Sequence, residues 1–202
     1  MAIENKVLQV EKLFDLLDIE ISAFQTTANL HCLTGCGKCC NKPNIDASPL
    51  EFLPYAFYLF LNGQAEAMLE ELQQKTDSNC QLYRPLTLLE TNNGSCSNYK
   101  YRGLICRLFG YAASRDKYGE LRLATCKIIK ENQYENFLQT EEAISKGLYV
   151  PIFTDYYMNL AQIDYQLGTK IVPINKAIII AIQEVLQYYA YRPFPGGLEN
   201  IA

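Results

Sequence analysis

Eight cysteines carry the chemistry open to this sequence. Four fall close together as Cys32-x3-Cys36-x2-Cys39-Cys40, and four follow singly at Cys80, Cys96, Cys106 and Cys126. A C-x2-C hairpin lets two thiolates converge on one ion, because the two residues between them form a tight turn with amide N–H groups facing sulfur. Zinc takes four ligands at ~2.3 Å in a tetrahedron, and an iron–sulfur cluster typically takes four thiolates. Eight thiols therefore suffice for two four-thiolate sites, or for one site with structural spares. Adjacent side chains in extended backbone point to opposite sides. They can meet at one ion only if the turn between them is sharply folded, so Cys39 and Cys40 are expected to face two different metal centres or to bridge two neighbouring ones.

Free cysteine also acts as a small buried hydrophobe, a competing account of Cys80 or Cys126 taken alone. It fits the loop HCLTGCGKCCNKPN (31–44) poorly, since almost nothing there can join a core. A redox-active C-x2-C disulfide normally sits at a helix start after a strand, and no strand is expected before Cys36.

The chain that must position these thiols has 202 residues, 49% of them apolar and 20% charged. That suits one domain, 1–202, with the cysteine-cluster region at about 30–130 and a helical C-terminal part at about 131–202. Eighteen Lys and Arg against 22 Asp and Glu leave a net charge of −4. A nucleic acid or an anionic membrane would require a basic excess, so neither is an expected partner. No uninterrupted run of ~18 apolar residues is present to span a bilayer. The start, MAIENKVLQVEKLFDLL, alternates charged and apolar residues, unlike a signal peptide. A reducing, cytoplasmic setting is expected, in which the thiols stay free, bind metal or do redox chemistry.

Apolar residues at Val7, Leu8, Val10, Leu13, Phe14, Leu16, Leu17, Ile21 and Phe24 predict a helix over 4–30. Ser48-Pro49-Leu50-Glu51 reads as a capping box opening a helix that runs to Leu61 and stops at Asn62-Gly63. A more polar helix covers 64–75. Helical periodicity lapses over 76–126, where Ala112–Ala124 predicts a small β-hairpin turning near Asp116–Glu120. Helices resume over Cys126–Leu138, 140–147 and, capped by Thr154, to Leu167 with Gly168 as stop. Pro173 opens the last helix, which ends before Pro193. The expected fold class is mainly α, with helices packed around an irregular cysteine-rich middle.

The downstream segment Cys96-Ser97-Asn98-Tyr99-Lys100-Tyr101-Arg102-Gly103-Leu104-Ile105-Cys106-Arg107, taken with the first cluster, resembles the YkgJ family of cysteine-cluster proteins, also called the CxxCxxCC zinc- or iron-chelating domain. That family pattern has a clustered C-x2-C-x2-C-C, a lone Cys, then C-x-x-Y-x-x-R-P-x-x-C-R and a last Cys. All eight thiols fall in this order. The first spacing is x3 rather than x2, and Gly103 stands where the family usually has Pro. The resemblance covers roughly 30–130. It implies a zinc or iron centre, with a [4Fe–4S] cluster within the donor count, held by Cys32, Cys36, Cys39, Cys40, Cys80, Cys96, Cys106 and Cys126.

Single residues around the thiols are further candidates. Arg102 and Arg107 flank Cys106, and Lys38 lies within the cluster loop; a cation beside thiolates offsets charge and donates hydrogen bonds to sulfur. Tyr99 is expected to pack over the site. His31, the only histidine, abuts Cys32 and could replace it as a ligand. Asp15, Asp18 and Glu20 read as a solvated acidic helix face. The C-terminal tyrosines Tyr156, Tyr157, Tyr165, Tyr188, Tyr189 and Tyr191 read as core and interface. One histidine supports no Ser–His–Asp or Cys–His arrangement, and neither phosphate-cradling glycine motif is present. The expectation is a metal-chelating protein without demonstrated turnover, in which metal orders the 76–126 stretch. Two alternatives are an iron–sulfur enzyme like the flagellin lysine N-methylases, which carry a similar signature, and a thiol redox sensor.

Overall fold

The computed structural model describes residues 1–33, 36–85 and 94–195. Part of the cluster loop (34–35), part of the irregular middle (86–93) and the C-terminal residues 196–202 lie outside it. Nine α-helices occur among the described residues, with three two-stranded antiparallel pairs between them. The mainly α class is as expected.

The first helix, α1 (Ile3–Ala28), buries Ile3, Val7, Val10, Phe14, Leu17, Ile21, Phe24 and Ala28. Their alternating spacing of four and three residues is that of one helical face. Leu8 and Leu16, which counted toward the apolar pattern, are instead 53% and 59% exposed. Asn29 ends the helix in the left-handed region at φ +50°, a conformation asparagine tolerates as a helix stop.

This face serves two cores. Ile3 to Ile21 join the main core, with Leu50, Phe52, Leu53, Tyr55, Leu104 and Leu108. Phe24 and Ala28 join a smaller one, with Leu30, Ala113, Leu123, Ile129, Ile144 and Val150. The main core is closed by α9 (Ile174–Tyr189), which buries Ala177, Ile178, Ala181, Ile182 and Val185 against α2 (Leu53–Leu61) and α3 (Ala65–Gln74). Tyr189 stacks on Phe60, with centroids 4.6 Å apart, and donates its hydroxyl to Glu4. A short ladder pairs β1 (Asp46–Ala47) with β6 (Val172–Pro173) and pins the start of α9 beside α2.

The Ser48 capping box forms, but it opens a 3₁₀ turn (Pro49–Phe52) that leads into α2. Between the helices lie β2 (Tyr83–Pro85) paired with β3 (Gly94–Cys96), then α4 (Leu104–Leu108), then β4 (Ala113–Arg115) paired with β5 (Leu121–Leu123). The second hairpin falls within the predicted 112–124 and turns at Asp116–Glu120. The first was not foreseen, and neither was the β1–β6 ladder. The irregular middle also contributes Leu82, Leu104, Leu108 and Ala112 to the main core. Apolar burial orders this stretch more than its lost periodicity suggests.

The later helix boundaries differ from expectation. The predicted Cys126–Leu138 helix is broken into α5 (Lys127–Asn132) and α6 (Tyr134–Ser145), the latter absorbing most of the predicted 140–147 piece. The break is at Gln133, whose side-chain amide is occupied by the backbone of His31. Thr154 is not a cap, because Ile152 precedes α7 (Phe153–Ile163). Asp164 breaks that helix by accepting Leu167 N–H at 2.9 Å and pairing with Lys6 at 2.6 Å, so α8 (Tyr165–Thr169) begins anew. Gly168 lies inside α8 rather than stopping it. A Cβ there would lie 2.9 Å from Ala161 Cα, so the residue permits close helix approach.

The two faces of α1 give a direct test. Leu17→Ala removes a fully buried side chain and is expected to cost ~2–5 kcal/mol in denaturant unfolding, whereas Leu16→Ala, one residue earlier, should change stability by less than ~0.5 kcal/mol.

Candidate metal centre

The eight cysteines lie on five separate segments of the chain. Cys32, Cys36, Cys39 and Cys40 lie on the loop after α1, Cys80 before β2, Cys96 at the end of β3, Cys106 in α4, and Cys126 at the N-terminus of α5. All eight are free thiols. Cys80, Cys96 and Cys106 pack in or on the main core, while Cys126 packs on the smaller one. The loop runs between the two.

Each end of this loop is anchored to a different side. At its start, His31 N–H donates to Gln133 Oε1 at 2.9 Å while Gln133 Nε2 donates to His31 C=O at 2.7 Å. Cys32 N–H donates to the Tyr111 hydroxyl at 2.7 Å. These bonds hold the loop to the smaller core. Further on, Gly37 turns the chain at φ +54°, and the Cys40 and Asn41 N–H groups both donate to Gly37 C=O. A Cβ on Gly37 would lie 2.2 Å from Gly94 O. Only a glycine admits so close a backbone contact, and it docks Cys39 and Cys40 against the hairpin that carries Cys96.

The helical turn at Gly37–Asn41 changes the expected geometry of the adjacent pair. Because the backbone there is folded rather than extended, Cys39 and Cys40 point together, with sulfurs 3.9 Å apart. Two thiolates on one tetrahedral ion at ~2.3 Å would be about 3.8 Å apart. The pair is thus spaced to share an ion or to bridge two.

Electrostatic influence among the thiols separates two groups. Burial, then the charges of Cys36, Cys39 and Cys126, push the Cys32 thiol up to about 11. Burial, then Cys80, Glu51, Cys39 and Cys96, push Cys106 up. Burial and Cys96 raise Cys80 to about 11. Cys40 is raised chiefly by its hydrogen bond with Cys39, then by burial and by the charges of Cys39, Cys106 and Cys96. Cys39 moves the other way, down to about 6, because the Cys40 thiol hydrogen-bonds to it, neighbouring amides donate to it and Arg102 is nearby. Cys40, Cys80, Cys96 and Cys106 thus influence one another, Cys32 feels Cys36 and Cys126, and the charge of Cys39 bears on both sets. Among the described residues, no three His, Cys, Asp or Glu side chains are arranged to hold an ion. The donor set fits zinc or iron in number and softness; closing either group around an ion requires the side chains to draw in.

The fold supports Cys106 through a carboxylate that the sequence showed only as a helix cap. Glu51 is 1% exposed. Its Oε1 accepts Ser48 N–H at 2.8 Å, and its Oε2 accepts Ile105 N–H at 2.9 Å, next to Cys106. The Tyr157 hydroxyl also bonds to it. Burial raises this carboxyl's pKa while those donors oppose the rise. Gly103 makes the room, since a Cβ there would meet Glu51 Oε2 at 2.8 Å and the Phe52 ring at 2.9 Å.

The flanking cations divide their roles. Arg107 is buried, but it turns from the sulfurs toward the backbone carbonyls of Lys100 (2.7 Å) and Arg102 (3.2 Å) and the carboxylate of Asp18. Arg102 pairs with Asp18 at 3.4 Å, stacks on Tyr99 at 4.0 Å, and its charge eases ionisation of Cys39 and Cys96. Asp18 is therefore an anchor for two guanidiniums rather than part of a solvated face. Glu20 is no mere surface acid either, because the Tyr149 and Tyr156 hydroxyls both donate to its Oε2. Neither acid could be told from its neighbours by helix periodicity. Tyr99 is 67% exposed and covers Arg102 rather than the thiols, and Lys38 is exposed. Of the terminal tyrosines, Tyr156 and Tyr189 are buried as core, whereas Tyr165 and Tyr191 are 76% and 100% exposed. A cleft of about 450 Å³ opens beside Asp18, and its walls carry Glu11, Asp15, Tyr99 and Arg102 rather than thiols.

Thiolate, not thiol, reacts with alkylating agents. In metal-free protein at pH 7, iodoacetamide should modify Cys39 first, since its pKa near 6 leaves it ionised while Cys32 and Cys80 near 11 stay protonated. Peptide mass spectrometry after brief exposure reads the order, and earlier labelling of Cys32 or Cys80 would contradict this electrostatic picture.

No curated protein and no solved structure matches the chain. A family model, CxxCxxCC: Putative zinc- or iron-chelating domain, matches residues 31–134, from the histidine ahead of Cys32 to the first residue of α6, and thus takes in all eight cysteines. With about half of its length accounted for by that match, the chain belongs to the CxxCxxCC family of zinc- or iron-chelating domains.

Proposed function

We propose that the protein binds two adjacent metal centres through its eight cysteines: an inner centre at Cys40, Cys80, Cys96 and Cys106, and an outer one at Cys32, Cys36, Cys39 and Cys126. The observation that carries this reading is that Cys80, Cys96 and Cys106 pack in or against the main core and Cys126 against the smaller one, while on the loop anchored to both sides the Cys39 and Cys40 sulfurs lie 3.9 Å apart. Four thiolates close the inner centre, leaving no open position for water, and such coordination suits a structural or electron-holding site rather than a hydrolytic one.

Within this scheme the chain's own groups have distinct tasks. Glu51 fixes the helix bearing Cys106, the Gly37–Gly94 contact sets Cys39 and Cys40 against Cys96, and Arg102 offsets thiolate charge. A metal ion supplies a cross-link between segments far apart in sequence, and its binding free energy adds to folding. Among the described residues no helix is long and apolar enough to cross a membrane. A reducing compartment such as the cytoplasm suits eight free thiols.

Anaerobic purification with elemental analysis tests the reading. Two metal ions per chain are expected, with Cys106→Ser losing one of them and melting lower, because metal binding contributes to folding. Unchanged metal content and an unchanged melting curve in that variant would overturn it. Sulfide in the protein with absorption near ~400 nm would replace single ions by an iron–sulfur cluster.

A further inference from the structure

Opposite the face that builds the cores, α1 carries a second stripe. Asn5, Leu8, Lys12, Asp15, Ile19 and Ser22 recur at alternating steps of three and four residues, and all six are exposed. Leu8 and Ile19 are 53% and 67% exposed. This is the heptad spacing by which one helix packs along another. Among the described residues, nothing covers the stripe, and neither Lys12 nor Asp15 enters an ion pair. We propose that this face is a homodimer interface, on which a second copy of the chain lies antiparallel.

The order of residue types along the stripe selects a second copy as its occupant. Taken inward from the two ends, it matches Asn5 with Ser22, Leu8 with Ile19, and Lys12 with Asp15. A two-fold axis passing between positions 13 and 14 therefore sets polar against polar, apolar against apolar and cation against anion, each contact being made twice. Lys12 meets the partner's Asp15, and Leu8 meets the partner's Ile19.

Other pairings of the same stripe are worse. Parallel copies would place Lys12 on Lys12 and Asp15 on Asp15, and like charges facing each other across an interface are costly. Sliding the antiparallel pair by one heptad in either direction sets a charge on an apolar side chain, Asp15 on the partner's Ile19 or Lys12 on the partner's Leu8. Burying a charge against an apolar group without a partner is unfavourable. The charges thus fix both direction and register, while Leu8 and Ile19 supply the apolar contact.

The hydroxyls at the far end of the stripe permit close approach. Ser22 Oγ donates to Asp18 C=O at 2.8 Å, and Thr26 Oγ1, one step further along, donates to Ser22 C=O at 2.9 Å. Both are satisfied within their own helix, so covering them strands no donor. From Asn5 to Thr26 the stripe runs for about 32 Å. No cysteine lies on α1, so the contact needs no metal.

Sedimentation velocity on the full chain over a concentration series tests the proposal, and a monomer–dimer equilibrium is expected. Leu8→Glu should weaken it at least about tenfold while circular dichroism and bound metal stay unchanged, because the side chain is exposed in the single chain. Exchanging the charges reads the register. Lys12→Asp and Asp15→Lys should each dimerise more weakly alone, an equimolar mixture of the two should recover the dimer, and a chain carrying both exchanges should dimerise by itself. A chain monomeric throughout the series, a dimer indifferent to Leu8→Glu, or single exchanges that do not recover on mixing would each overturn the inference. None of these outcomes bears on the metal centres, which elemental analysis reads separately.

Discussion

One buried carboxylate joins the parts on which the metal region depends. Glu51 closes the turn ahead of α2 through Ser48, holds the start of α4 through Ile105 and meets Tyr157 of α7. A carboxylate at 1% exposure is costly unless its lone pairs are used, and here they are used on three elements distant in sequence. The same group that caps a helix therefore sets where Cys106 stands relative to both halves of the chain. Gly103 belongs to this arrangement, because its missing side chain is the space the carboxylate occupies.

Around that point the molecule is organised as two cores threaded by one helix. The early turns of α1 pack into the main core and its last turns into the smaller one, and the loop that leaves α1 carries four thiols directly between them. Asp18 reinforces the junction from the helix side, pairing with Arg102 and Arg107 and so tying α1 to the chain on both sides of Cys106. Most of the force that assembles the region is ordinary apolar burial. The thiols are carried to their places by hairpins and helix ends that already have reasons to be there.

Much of this was legible in the sequence. The order and spacing of the cysteines, the capping box at Ser48, the hairpin after residue 112 and the long first helix all rest on local rules, and local rules survive folding. What escaped depends on partners far along the chain. Gln133, where one predicted helix breaks, serves the backbone of His31 about a hundred residues earlier with its side-chain amide, and Asp164, where another breaks, holds Lys6 with one oxygen and caps a new helix with the other. The roles of Asp18 and Glu20 were hidden for the same reason. A period of 3.6 tells which side of a helix an acid is on, but not that an arginine or two phenols will arrive there. For Cys39 and Cys40 the rule of opposite sides assumes extended backbone, and the turn at Gly37 that sets their sulfurs together has no signal in that rule.

The contact between Gly37 and Gly94 has a metrical consequence. Where two segments meet through side chains, their separation can drift as rotamers change. Here main chain lies on main chain, with no room for even a methyl group between them. The offset between the backbone bearing Cys39 and Cys40 and the strand end bearing Cys96 is thereby set by main chain alone, and rotation about the cysteine side chains is the freedom left for fitting what they grip.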